Sequence, residues 1–140
     1  MPDWLTTIPV KMEIVTTYFP ESKPKGALKL RPCLIVDVIK STVTGQIYCE
    51  VAYGTKNLTS VYGGELIPIH NSTDLTSMGL PVATNFVMEK AKRATLPWTE
   101  ERFGCWSGRS SPRIGVLLPD YQKLFAFIIT EEWRRDGKIK

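Results

Sequence analysis

The chain has 140 residues, 43% hydrophobic and 23% charged, which suits one domain with a sizeable core and excludes wholesale disorder. No apolar run reaches the ~18 residues a membrane-spanning helix needs, and Met1-Pro-Asp-Trp4 lacks the basic region and long apolar block of a secretory signal, so cytoplasmic residence is expected. The cysteines, Cys33, Cys49 and Cys105, form no Cys-x-x-Cys or Cys/His cluster, which argues against structural zinc, and a net charge of +4 with pI near 9.0 permits a polyanionic partner without requiring one.

In chain order, residues 8–18 are β-branched and partly alternating, which predicts a first strand. Pro20 to Leu30 holds two prolines, a glycine and Lys23, Lys25 and Lys29, and reads as a basic loop. Residues 33–39 are nearly all apolar, as in a strand buried on both faces. Ser41 to Gln46 turns the chain, and Ile47 to Tyr53 returns as the partner strand. Gly54 is expected to break that strand, with a loop over Thr55–Val61 and a turn at Gly63-Gly64. Glu65 to Ile69 reads as a strand placed at an edge by Pro68, and Asn71 to Ser77 as a short capped helical turn. Pro81 to Met88 fits a strand, with a brief helix over Val87–Ala94 as the competing reading.

Residues 95–112 are expected to form a long irregular loop carrying Trp98, Phe103 and Trp106, with a helical turn begun by Thr99. Arg113 to Leu118 reads as a strand, after which Asp120 is expected to cap a final helix. There Tyr121, Leu124, Phe125 and Ile128 recur at helical spacing, and Phe127 and Ile129 widen the apolar surface, as in a buried or dimer-facing helix. The sum is a mainly β chain of 1–140, a single domain of five to seven short strands in a small barrel or sandwich, with a C-terminal helix packed on it.

The chemistry concentrates where Arg31-Pro-Cys-Leu-Ile-Val-Asp37 meets Tyr48-Cys-Glu-Val-Ala-Tyr-Gly-Thr-Lys56. A hairpin of these two strands carries Arg31 and Thr55 to one rim, and a cation beside a hydroxyl suits a phosphate. Lys23, Lys25, Lys29 and Lys56 surround that rim; the plainer alternatives are a solvated basic loop, a strand-edge salt bridge for Arg31 and a turn hydroxyl for Thr55. Cys33 and Cys49 read as small buried hydrophobes. His70 is the only histidine and reads as a surface residue, so a paired-histidine ribonuclease mechanism within one chain is excluded. The chain has no Gly-rich phosphate loop, no Gly-x-Ser-x-Gly and no HExxH, and its carboxylates are scattered, so no metal site is expected.

The Arg31-Pro32 strand and the Tyr53-Gly54-Thr55 strand end resemble two signature blocks of the MazF/PemK (Kid-like) toxins of type II toxin–antitoxin systems. Val82-Ala83-Thr84-Asn85-Phe86-Val87 is similar to that family's "L-A-D-Q-V" strand, and Ile114-Gly115-Val116-Leu117 to the strand before its last helix; the resemblance runs from about residue 10 to about residue 130. It implies an SH3-like (CcdB/MazF-type) β-barrel with a C-terminal helix and a homodimer. It further implies a metal-independent, cofactor-free endoribonuclease that cleaves single-stranded RNA through 2′-hydroxyl attack, held by a cognate antitoxin.

By motif position the resemblance implies Arg31 and Thr55 as catalytic residues, with Lys23, Lys25, Lys29, Lys56 and Asn85 on the RNA. A guanidinium with pKa above about 12 does not act as a base, so Arg31 is assigned to the charge growing on the phosphoryl oxygens. Two departures stand out: Asn85 where Asp is common and Phe86 where Gln is common. They leave a non-catalytic RNA- or protein-binding member of the fold as the alternative. The 95–112 aromatics either stack on unpaired bases or plug the barrel end, and packing is favoured. A CcdB-like gyrase inhibitor fits less well, because its Trp-Gly-Ile tail is absent from Trp133 to Lys140.

Overall fold

The computed structural model describes residues 2–19, 30–56 and 65–138. A helical turn, α1 (Asp3–Thr6), precedes strands β1 (Glu13–Tyr18), β2 (Leu30–Lys40) and β3 (Ile47–Thr55). Then come β4 (Leu66–Ile69), α2 (Ser72–Ser77), β5 (Thr84–Val87), a 3₁₀ turn at Lys90–Lys92, β6 (Ala94–Pro97), β7 (Arg113–Val116) and α3 (Pro119–Arg135). The strands form one antiparallel sheet in the order β4-β5-β3-β2-β1-β7, curled into a half-barrel with α3 at the chain's end. β3 shares its outer edge between two partners, β6 along Tyr48–Val51 and β5 at Gly54 and Thr55. Register shifts in β1 and β2 add the twist that lets so few strands curl.

Strand alternation between two cores explains why the middle of β2, Cys33–Val36, is apolar at every position. Leu34 and Val36 face a core with Ala52, Ile67 and Phe86, closed by Leu75 of α2 and by Phe125 and Ile128 of α3. Cys33 and Ile35 face a second core with Val15, Val51 and Leu96, closed by Trp98, Phe103 and the partly buried Trp4. Each such side chain removed from water contributes about 1.5–3 kcal/mol. Tyr121 of α3 donates a 2.5 Å hydrogen bond to Asp74 of α2, which, with some desolvation, pushes its phenol up to about 12. Gly115 of β7 has no side chain because the Met78 carbonyl lies where one would be, 2.2 Å from an added Cβ.

Several expectations change. Strand β1 begins at Glu13, not at residue 8, because Pro9 lacks a donor and the chain turns at Met12 with φ of 71°. Gly54 does not break β3; it pairs with Phe86, and the strand continues through Thr55. The loop expected from 55 to 61 therefore loses its first residue to β3, and residues 57–61, like the Gly63-Gly64 turn, lie outside the described residues. Within 95–112, the first residues belong to β6, whose pairing with β3 is non-local and leaves no local pattern. Helix α3 starts at Pro119, whose missing N–H costs nothing at the first position; Asp120 sits in the first turn and makes no cap hydrogen bond. β5 and the 3₁₀ turn share the stretch for which a strand and a helix competed. Asn71 caps α2, accepting from the Thr73 and Asp74 amides.

Candidate phosphate-binding groove

The ends of β2 and β3 bring the proposed residues together. β1 sets Thr17 against Arg31, and β3 sets Thr55 against Asn85 of β5. The β2–β3 register, with Cys33 opposite Tyr53, places Arg31 beside Thr55 when continued by two residues. Alternation then puts Thr17, Arg31, Thr55 and Asn85 on one face, in a row across four strands with neighbours roughly 4.5–5.5 Å apart. The row is inward-set: Thr55 is 8% exposed and Asn85 3%. The Thr17 hydroxyl is buried without a partner in hydrogen-bond geometry among the described residues and lies beside the Cys33 thiol.

Over the same strand ends opens a depression of about 340 Å³, lined by Arg31, Pro32, Gly54, Lys56, Thr84 and Trp106 among others. Among the described residues no Asp or Glu lines it, and Lys56, which is exposed, carries no ion pair there. Gly54 is fixed by packing. A Cβ there would meet Thr84 Cγ2 at 2.7 Å, the Pro32 carbonyl oxygen at 2.9 Å and Phe86 Cε1 at 3.0 Å. Its bareness lets β2 and β5 close on β3 and keeps the depression open. The depression is thus a cationic recess with aliphatic and aromatic walls, a shape that takes an anion with an apolar group attached.

Among the expected residues, Arg31 and Lys56 line the recess, while Thr55 and Asn85, which alternate with Gly54, Lys56 and Thr84 along their strands, face the other side of the sheet. Lys23, Lys25 and Lys29 lie outside the described residues. Phe86, which departs from the resemblance, points into the core and is fully buried, so nothing at position 86 reaches the row. Of the three loop aromatics, Trp98 and Phe103 are buried with ring centroids 4.6 Å apart, and Trp106 is half-buried at the wall of the recess.

His70 is exposed, as read from the sequence, yet its Nε2 lies 2.9 Å from Asn85 Oδ1. In the tautomer protonated at Nε2 the ring donates to Asn85 and keeps Nδ1 as an acceptor. Sequence reasoning missed this contact and the placing of Trp106. A histidine just after a strand that flanks the Asn85 strand was the only available signal for the first. Cys33 and Cys49 are buried, as expected; burial pushes each thiol up to about 12, so neither is a nucleophile at neutral pH. Among the described residues no group of three His, Cys, Asp or Glu could hold a metal ion, and no helix is long and apolar enough to cross a membrane. No protein-family model matches the chain, and no curated protein matches it.

Proposed function

We propose that the chain is a metal-independent endoribonuclease that cuts single-stranded RNA, the toxin half of a toxin–antitoxin pair. One observation carries the reading: Arg31 and Lys56 flank a recess with no Asp or Glu among its described lining residues, at the same strand ends where Thr55 meets Asn85. A scissile phosphate in the recess receives the Arg31 guanidinium on its non-bridging oxygens, where charge grows as the 2′-oxygen bonds to phosphorus and the P–O5′ bond breaks. Water takes the 2′ proton and protonates the leaving 5′-oxygen, which leaves a 2′,3′-cyclic phosphate and a 5′-hydroxyl. Lys56 holds the phosphate as a point charge, and Thr55, one residue before it on the opposite face of β3, positions Arg31. The antitoxin is an acidic, flexible segment that competes with RNA for the recess and folds as it binds. The working unit is a homodimer, a reading supported by Phe127 on α3, which is 62% exposed.

The test is the cleavage rate of a long single-stranded RNA. Arg31→Ala is expected to lower it by about 10²–10³. Thr55→Val, which keeps the shape, lowers it as well, and Thr55→Ser restores it. A second reading, an RNA-binding protein that does not cut, is favoured by the burial of Thr55. Wild-type protein that binds the RNA and leaves it intact would establish that reading and end the first.

A further inference from the structure

The recess does not stop at Trp106. A second depression of about 420 Å³ adjoins it, and Pro81 and Trp106 line both. Leu80, Ser107 and Arg109 also line the second; among the described residues no Asp or Glu lines it, and Arg109 is exposed with no ion pair. A cation therefore stands in each depression, with one indole shared between them.

Trp106 is held from behind. Its half-buried ring packs against the core that carries Leu80, Ile114 and Phe125. The segment before it is fastened to β1 by a bridge between Phe103 and Thr17 and by a hydrogen bond from the Thr16 hydroxyl to the Gly104 carbonyl. The Arg109 amide donates to the Trp106 carbonyl at 3.0 Å, closing a turn in which Gly108 takes φ of 85°. The turn holds the backbone of residues 106–109 together at the groove, so that indole and guanidinium leave it from neighbouring positions.

We propose that Trp106 and Arg109 form a second nucleotide subsite for single-stranded RNA, the indole stacking on an unpaired base and the guanidinium binding an adjacent phosphate. The inference rests on the reading of the Arg31–Lys56 recess as an RNA site and extends it along the strand. Paired bases hide the faces that an indole stacks on, so the subsite selects single strands.

The test is binding of a short, mixed-sequence RNA carrying 2′-O-methyl groups throughout, which cannot be cut, measured by fluorescence anisotropy across a salt series. Trp106→Leu, which keeps apolar packing on the core, is expected to weaken binding about 5- to 100-fold, and Trp106→Phe to restore most of it. Arg109→Gln is expected to reduce the slope of log K against log salt by about 0.7. Urea unfolding midpoints equal to wild type place these losses at the surface. Wild-type affinity and slope in Trp106→Leu and Arg109→Gln, beside weakened binding in Arg31→Ala and Lys56→Ala, would overturn the subsite and leave the recess standing. A wild-type protein that does not bind the RNA would overturn both.

Discussion

At position 54 a hydrogen stands where any other residue would place a carbon within 3.0 Å of three different neighbours. Thr84 Cγ2 and the Phe86 ring can shift, but the Pro32 carbonyl is backbone held in the β1–β2 ladder, where Pro32 pairs with Thr16. Gly54→Ala is therefore expected to destabilise the fold by about 1–3 kcal/mol, read as a lower urea midpoint, and to narrow the recess beside Arg31. An unchanged midpoint would mean that β2 and β5 close on β3 more loosely than described. Arg31 and Thr55 were readable in the sequence as a pair because a hairpin's geometry is local. The burial of Thr55 was not, since it depends on β5, which joins β3 only after some thirty intervening residues. Phe86 teaches the same point: read as a departure in an RNA-facing strand, it is a core residue whose face is set by pairing with Gly54.

The elements are tied together by charge as well as by apolar packing. The Arg93 side chain, 2% exposed, sits 3.5 Å from Glu50 of β3 and bonds Glu132 of α3, so it joins sheet, linker and terminal helix. Removing the cation leaves Glu132, 7% exposed, as an uncompensated buried charge. Arg93→Met is expected to cost about 3–5 kcal/mol, and Arg93→Met with Glu132→Gln markedly less than the sum of the two single changes. Additive losses in a denaturant double-mutant cycle would show that the two residues do not act as a unit. The sequence could not announce this tie, because a lone arginine after a 3₁₀ turn has no periodicity. Helix α3 was readable for the opposite reason: its stripe of Tyr121, Leu124, Phe125 and Ile128 repeats at helical spacing, and those residues pack on the core. Strand β6 went unread because a four-residue strand makes sense only against its partner.

For the molecule as a whole, a half-barrel with two cores leaves the ends of β2 and β3 as a rim where cations gather over a glycine. The mainly β architecture with a terminal helix was readable from short apolar runs and turn residues, and the curl follows from β3 sharing one edge between β5 and β6. The groove was readable only in part: Arg31 and Lys56 announce it, whereas Trp106 reaches it through a loop fastened to β1. The central claim is that this rim cuts RNA without a metal, using Arg31 to stabilise the phosphoryl charge. The most direct measurement is the end chemistry of a long single-stranded RNA incubated with purified protein in excess EDTA, wild type beside Arg31→Ala. Fragments with cyclic-phosphate ends from the wild type, and none above background from Arg31→Ala over the same time, are the predicted result. Intact RNA with folded wild-type protein, or cutting that persists in Arg31→Ala, would contradict it.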